Sequence, residues 1–304
     1  MDAPFFVHFI CSKNKKNIYL FSEKNNMTMT RKTLFIIIVM SIIGITARAQ
    51  DSLVLKYGEE SVAALLDKCL ASTTDDERRE LSGKVCDELL QLLQYDAAFN
   101  YKFEMLKNIS SAYSDDNFVR LMTFAVPLNN GKKYLYHGFV IHYDEDDGIK
   151  VTRLVDDEKK TRNPQFVDMQ ATNWYGAVYY QIQQVGSRRN PVYAVCGWDG
   201  ADLFTNRKVL EQLTFDDEWN AKFGGSFATE HSDGLHRIVF EFTEKAVMSL
   251  QYDPRLKMVV GDHLSAPAQF VHNPRYYGPD MSFDGYYYDK GKWHYEPDID
   301  VKLW

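Results

Sequence analysis

From about Asn117 to Tyr295 the chain is a succession of short runs in which apolar and polar residues alternate. Each run is cut off by a turn cluster, and none of the connections carries the period of a crossover helix. Period-two alternation marks strands with one buried face. Parallel strands need crossovers of roughly a dozen residues or more, so about ten to twelve strands joined by turns must pair antiparallel. The clearest pair is Phe118–Phe124 and Tyr134–Tyr143, joined through Asn129-Asn130-Gly131. Ile149–Leu154 follows the acidic turn Asp144-Glu145-Asp146-Asp147-Gly148. Further strands are predicted at Trp174–Val185, Val192–Cys196, Arg237–Phe242, Val247–Tyr252, Lys257–His263, Ser282–Tyr288 and Trp293–Tyr295. In the first of these, Tyr175, Ala177, Tyr179 and Gln181 share a face. Gly197-Trp198-Asp199-Gly200 reads as a turn, and Arg207–Phe215 fits a strand or a short helix. The pattern suits a meander forming a twisted sheet, a sandwich or propeller-like blades, and no fixed-period repeat singles out the propeller.

Before this region the period changes to that of a helix. Val62, Leu65, Leu66, Cys69 and Leu70 form one stripe, and Leu81, Val85, Leu89 and Leu92 form another. Thr74-Asp75-Asp76-Glu77 between them has the spacing of a capping box, with Thr74 at the N-cap and Glu77 at the third helical position. A short helical turn is expected within Ala97–Leu106. Two amphipathic helices so close in sequence form a hairpin whose apolar faces must dock. The expected fold class is therefore α+β, an N-terminal helical hairpin packed on a larger antiparallel β-meander domain.

Upstream lies the pattern of an export signal. Arg31 and Lys32 precede an apolar run from Leu34 to Ile45, and small residues stand at Ala47 and Ala49. As a helix that run would reach roughly 18 Å, short of the ~30 Å hydrocarbon core of a membrane. A cleaved signal ending at Ala49, with Gln50 as the new terminus, fits better than a resident anchor. The absence of a cysteine after the small residues disfavours a lipoprotein. The expected organisation is an upstream extension at 1–28, with translation starting at Met27 or Met29. A signal at 29–49, a helical segment at 50–112 and an antiparallel β domain at 113–304 follow. Removing residues 1–49 takes away seven of the 35 basic and two of the 42 acidic residues, which leaves a formal charge of −12. An acidic chain gains nothing from releasing the counterions of a nucleic acid, so such a partner is excluded. Cys69, Cys86 and Cys196 then remain, an odd number without a C-x-x-C pair. That suits small buried apolar residues, with a Cys69–Cys86 bridge as the alternative.

Several C-terminal stretches carry a resemblance: Cys196-Gly197-Trp198-Asp199-Gly200, Asn206-Arg207-Lys208-Val209, Asp262-His263-Leu264, Tyr277-Gly278-Pro279-Asp280 and Trp293-His294-Tyr295-Glu296-Pro297-Asp298-Ile299-Asp300. From about Phe99 to the end the chain resembles a group of exported Bacteroidota proteins without an assigned activity. It departs from them at Cys196, where that group more often has an aliphatic residue. The resemblance implies export and a shared fold, and it implies no chemistry.

The sequence has no nucleophile elbow, zinc-protease helix, phosphate-binding glycine loop or dinucleotide fingerprint. No metal site or cofactor is expected. The residues nominated for binding are Trp198, Asp199, Asp262, His263, Tyr277, Asp280 and Asp284, because carboxylates among aromatic rings suit sugar recognition. Asp262 and His263, adjacent on a strand, could serve one site only at a strand end or bulge. Asp298 and Asp300 would share one strand face. The leading reading is a non-catalytic envelope or surface binding module, with a glycan or another envelope protein as partner and no membrane span in the mature chain. The alternatives are a carbohydrate-active hydrolase using two of Asp199, Asp262, Asp280 and Asp284, which glycosidase chemistry would require in one cavity, and an assembly component of the envelope. N-terminal sequencing of the protein recovered from its native host is expected to read Gln50 first, and retention of Met1 would contradict the export signal.

Overall fold

The computed structural model describes residues 31–144, 148–156, 161–228 and 233–301, and for 31–49, Ala228 and Asp233 the backbone alone. The extension expected at 1–28, the first two residues of the expected signal, Glu145–Asp147 of the acidic turn and Trp304 lie outside the described residues. The chain divides into a unit of residues 1–46 and a unit of residues 47–304. In the first unit the described residues are helical, within α1 (Arg31–Ala71), and Ala49 and Gln50 also fall inside this helix. Among the described residues no helix is long and apolar enough to cross a membrane, a statement that concerns helices only.

The second unit is α+β, with the helices at its N-terminal end and mostly antiparallel strands after them. α2 (Asp75–Leu92) starts as its sequence demands. Thr74 has extended backbone angles, its side chain accepts the Glu77 N–H at 3.4 Å, and Asp75, Asp76 and Glu77 place negative charge at the positive end of the helix dipole. Val62, Leu66 and Cys69 of α1 and Leu81, Val85, Leu89 and Leu92 of α2 are buried. With α3 (Asp96–Asn100) they cover one face of a sheet of β1 (Ser110–Tyr113), β2 (Val119–Leu128), β3 (Lys133–Asp144) and β4 (Gly148–Val155), where Met122, Phe124, Phe139 and Ile141 receive them. Asn129-Asn130-Gly131 turns β2 into β3 as expected, with both asparagines in the left-handed region they tolerate. Arg120 of β2 is wholly buried. It donates to the carbonyls of Ala98, Phe99 and Tyr101 at 2.8–3.0 Å and so fastens the end of α3 to the sheet.

The other face of this sheet meets a second one. It contains β5 (Met169–Gln170), β6 (Val178–Gln184), β7 (Tyr193–Asp199), β8 (Thr205–Phe215), β9 (Ala221–Phe223) and β12 (Arg237–Thr243). Val119, Leu121 and Val140 pack there against Tyr179, Ile182, Val195, Leu213 and Phe223. The far face of the second sheet, with Ala194, Cys196 and Leu210, covers a third sheet. That sheet is built from β10 (Phe227–Ala228), β11 (Asp233–Leu235), β13 (Leu250–Asp253), β14 (Met258–Ser265), β15 (Gly278–Asp289) and β16 (Lys292–Glu296). Among its described residues the second unit is thus a stack of helices and three open sheets rather than propeller blades. Among the described residues β10 pairs with β16 in parallel, and an isolated parallel bridge joins Asp156 and Trp174.

Several local expectations need correction. Gly197–Asp199 continues β7 because each residue pairs with β8, and the chain turns only from Gly200. The expected strand from Trp174 begins at Val178, and a register shift between Tyr179 and Gln181 prevents Tyr175, Ala177, Tyr179 and Gln181 from sharing one face. Arg207–Phe215 is strand, within β8. β1, whose few residues show no clean alternation, was not anticipated. Asp298 and Asp300 lie beyond β16, and Asp298 has φ 51°, so the two do not share a strand face. The C-terminal aromatics Tyr286 and Trp293 are buried between sheets, with Trp293 stacked on Phe227.

Cys69, Cys86 and Cys196 are free and buried. Burial pushes the thiols of Cys86 and Cys196 up to about 12 and raises that of Cys69. Protein beginning at Gln50 is therefore expected to resist a thiol-directed disulfide reagent at pH 8 while folded, and to release three equivalents once unfolded in guanidinium. Rapid labelling of the folded protein would contradict the packing.

Candidate functional site

The sequence R-x-V-x-E occurs twice, as Arg207-Lys208-Val209-Leu210-Glu211 in β8 and Arg237-Ile238-Val239-Phe240-Glu241 in β12. The two strands pair antiparallel with Arg207 opposite Glu241, Val209 opposite Val239 and Glu211 opposite Arg237. Alternation puts all six side chains on one face. Antiparallel pairing of the same pattern thus creates two cross-strand ion pairs separated by a valine pair.

The two pairs have different surroundings. Arg237 and Glu211 are shut off from water on both sides. Arg237 also donates to the carbonyls of Pro164 and Val167, Glu211 accepts the Tyr179 hydroxyl, and the Trp174 indole N–H donates to that hydroxyl at 2.8 Å. Arg207 and Glu241 are about a third exposed and line a cavity of about 360 Å³. Tyr175 connects the two levels. Its ring lies 5.6 Å from the Arg237 guanidinium, and its hydroxyl donates to Asp199 Oδ2 at 2.9 Å.

Asp199 also lines this cavity and is almost fully buried. Oδ1 accepts the Tyr136 hydroxyl at 2.8 Å and the Ala201 N–H at 2.9 Å, and Oδ2 accepts Tyr175 and Arg207 Nη1, the latter at 3.1 Å. Four donors match the four lone-pair sites of a carboxylate. Burial first, then the charge of Asp199, raises the phenols of Tyr136 and Tyr175 far above their ordinary range, so both remain donors. Burial works to lower Arg207, but Asp199, Tyr175 and Glu241 outweigh it and raise this group. Glu241 is less occupied, with one oxygen accepting Thr205 Oγ1 at 2.8 Å and the other Arg207 Nε at 3.0 Å. Gly176, at φ 87°, leaves room for this arrangement, since a Cβ there would come within 2.8 Å of the Tyr136 ring. Lys133, Tyr134, Asp156, Thr161, Pro164, Gln165, Met169 and Val239 complete the lining, with Asp156 Oδ2 accepting the Tyr136 N–H at 2.9 Å.

The residues nominated from sequence fall in three places. Trp198, on the other face of β7, donates to Asn206 and meets Tyr134 edge to face at 5.4 Å, next to the Asp199 cavity. Tyr277 lines an adjoining cavity of about 340 Å³ that shares Val239 and Glu241 with the first. His263, Asp280 and Asp284 gather at a bulge in the third sheet, where the β14–β15 register shifts between Asp262 and Leu264. This is the bulge that adjacency of Asp262 and His263 required. There His263 Nδ1 lies 2.8 Å from buried Asp284, while Asp262 instead accepts the Ser249 N–H at 2.7 Å. Asp280 accepts the Ser282 hydroxyl and N–H; chiefly that hydroxyl bond, with the charge of His263 among the lesser causes, lowers its carboxyl. The cavity that holds Asp199 is lined by none of Asp262, Asp280 and Asp284. Among the described residues no group of three or more His, Cys, Asp or Glu side chains is arranged to hold a metal ion.

Comparison with protein-family models, curated proteins and solved structures gives no match to this chain. Tyr136, Tyr175, Arg207, Glu211, Arg237 and Glu241 were not nominated from sequence. Their signal was present as charged residues at inward positions of two strands with the same spelling. The buried and open pairs should respond differently to truncation. Glu211→Ala leaves Arg237 charged and unpaired in the interior and is expected to cost about 3–5 kcal/mol. Glu241→Ala leaves Arg207 its contact with Asp199 and is expected to cost about 1 kcal/mol or less. Urea denaturation of both variants measures the difference, and equal losses would contradict the two-level arrangement.

Proposed function

We propose that the chain is an exported, non-catalytic binding module of the cell envelope or surface, with the Asp199 cavity as its ligand site and a neutral glycan as ligand. Saturation of Asp199 carries this reading. A general base or nucleophile needs a lone pair directed at the substrate, and all four of its sites are taken by Tyr136, Ala201, Tyr175 and Arg207. What lines the cavity is a mixed set of donors and acceptors: the remaining capacity of Glu241, the carboxylate of Asp156 beside the Tyr136 N–H, the ring of Tyr134, and Lys133, Thr161 and Gln165. Mixed polar groups beside an aromatic ring suit a polyhydroxylated ligand of no net charge. The hydrolase alternative asks for two of Asp199, Asp262, Asp280 and Asp284 in one cavity, and the lining of this one supplies only the first. Export rests on the basic, apolar and small-residue segments ending at Ala49, and the resemblance to exported Bacteroidota proteins is consistent with it.

A glycan array probed with protein beginning at Gln50 tests the reading. Binding to neutral oligosaccharides is expected, with loss of about tenfold or more in affinity on Tyr134→Ala or Gln165→Ala and no shortening of the bound glycan on prolonged incubation. Release of cleavage products, or binding untouched by both substitutions, would overturn it.

A further inference from the structure

At the opposite end of the same two sheets lies a second cavity, of about 500 Å³. β7 reaches from Asp199 at the first cavity to Tyr193 at the second, and β3 from Tyr134 and Tyr136 to Asp144. At about 3.4 Å per residue the two sites are roughly 20 Å apart along β7.

The second cavity has an aromatic platform. The Trp219 ring is stacked on that of buried His142, with centroids 3.5 Å apart and planes 19° apart, and Phe118 lies parallel to His142 beyond. The β8–β9 turn holds Trp219 firmly. Asp216 Oδ1 accepts the N–H groups of Glu218 and Asn220, its Oδ2 accepts the Asn220 side chain, and its carbonyl accepts the Trp219 N–H. Trp219 has φ 58°, a region that a bulky side chain enters only at a cost of roughly 1–2 kcal/mol. Local preference would put glycine or asparagine there. His142 covers one face of the indole, Phe215 lies tilted against it with centroids 5.5 Å apart, and Trp219 lines both this cavity and a neighbouring one of about 490 Å³ that shares Pro191.

The polar groups around the platform define the ligand. Asp116 is committed to Ser114, the Phe118 N–H and the Tyr193 hydroxyl. Asp115 Oδ1 accepts the Gln184 N–H at 2.8 Å, and its Oδ2 has no hydrogen-bond partner among the described residues. The Gln184 side chain and the exposed Arg188 line the same space. An anion would meet Asp115, Asp116 and Asp144, while a neutral polyol finds acceptors in these carboxylates and donors in Gln184 and Arg188. The nonpolar C–H face of a pyranose ring matches an indole face bordered by such groups.

We propose that this cavity is a saccharide-binding site in which a pyranose stacks on Trp219 and hydrogen-bonds to Asp115, Gln184 and Arg188. The site accepts the same ligand class as the reading above but does not depend on the Asp199 cavity. Its test is titration of cellotetraose, mannotetraose and chitotetraose into protein beginning at Gln50, followed by tryptophan fluorescence and calorimetry. At least one sugar is expected to change the indole emission. Trp219→Gly, which suits the turn, is expected to keep the urea midpoint while weakening that sugar about tenfold or more, and Asp115→Asn is expected to weaken it too. Tyr134→Ala is expected to leave this signal intact, so failure at one cavity can be told from failure at the other. Absence of binding by all three sugars, or unchanged affinity in Trp219→Gly, would overturn the proposal.

Discussion

The buried Arg237–Glu211 pair is the interaction on which the Asp199 site rests. Withdrawing two charges from water costs several kcal/mol per ion, and their attraction offsets this only when geometry is fixed and the remaining donors and acceptors are satisfied. Here Nε and Nη1 of Arg237 are satisfied, Nη2 is buried without a partner among the described residues, and the bonds that are made recruit distant segments. The carbonyls of Pro164 and Val167 draw in the connection before β5, Tyr179 brings β6, and Trp174 is held through the Tyr179 hydroxyl. Tyr175, adjacent to Trp174 in sequence, is thereby carried over the Arg237 guanidinium with its hydroxyl at Asp199. The inner pair positions the chain, and the outer pair, built from the same spelling, is left with water and a cavity. Two identical strand patterns thus take on different roles because loops close over one end of the ladder and leave the other open.

Both cavities sit where stacked sheets run out of core. In the middle of β3 and β7 the facing residues are Val140 and Val195, which fill the space between the sheets. Toward the strand ends the loops diverge, and polar side chains with their own partners replace aliphatic ones. Tyr136 and Asp199 do this at one end, and Asp116 with Tyr193 at the other. The helical hairpin contributes indirectly. By covering the outer face of β2 and β3 it frees their inner face to pack on the second sheet, and Arg120 keeps the two layers in register through the carbonyls that end α3.

Much of the architecture was legible because it depends on local rules. The Thr74 cap, the two helical stripes, the Asn129-Asn130-Gly131 hairpin and most strands need only neighbouring residues to specify them. Expectations failed where a tertiary partner decided the outcome. Gly197-Trp198-Asp199 has turn composition, yet pairing with Val209, Lys208 and Arg207 keeps it extended. β1 is too short to alternate visibly and exists because Ser110–Tyr113 pairs with β2. Asp199 was nominated for its carboxylate, but its four donors come from residues 136, 175, 201 and 207, and no local reading joins them. The repeated R-x-V-x-E was visible, but its meaning appears only when the strands pair antiparallel with the valines opposite each other.

Aromatic rings and carboxylates are both dense in the C-terminal segment from Tyr276 to Asp300. In the folded chain many of those rings face inward between sheets, as Tyr286 and Trp293 do. The same chemistry is assembled instead from loops far apart in sequence, with Trp219 from one hairpin, Phe118 and Asp115 from another and Gln184 from a third. Density in sequence therefore reports core packing in an antiparallel stack, because successive strands of a meander fill the same interior. A ring that faces solvent is better recognised by conflict with its own backbone, as at Trp219. Conflict alone is insufficient, since Met281 at φ 75° is 92% exposed and belongs to none of the cavities described. What separates the two is surroundings: Trp219 is stacked on a buried ring, held by Asp216 and bordered by space with polar groups, so its strained conformation has something to present.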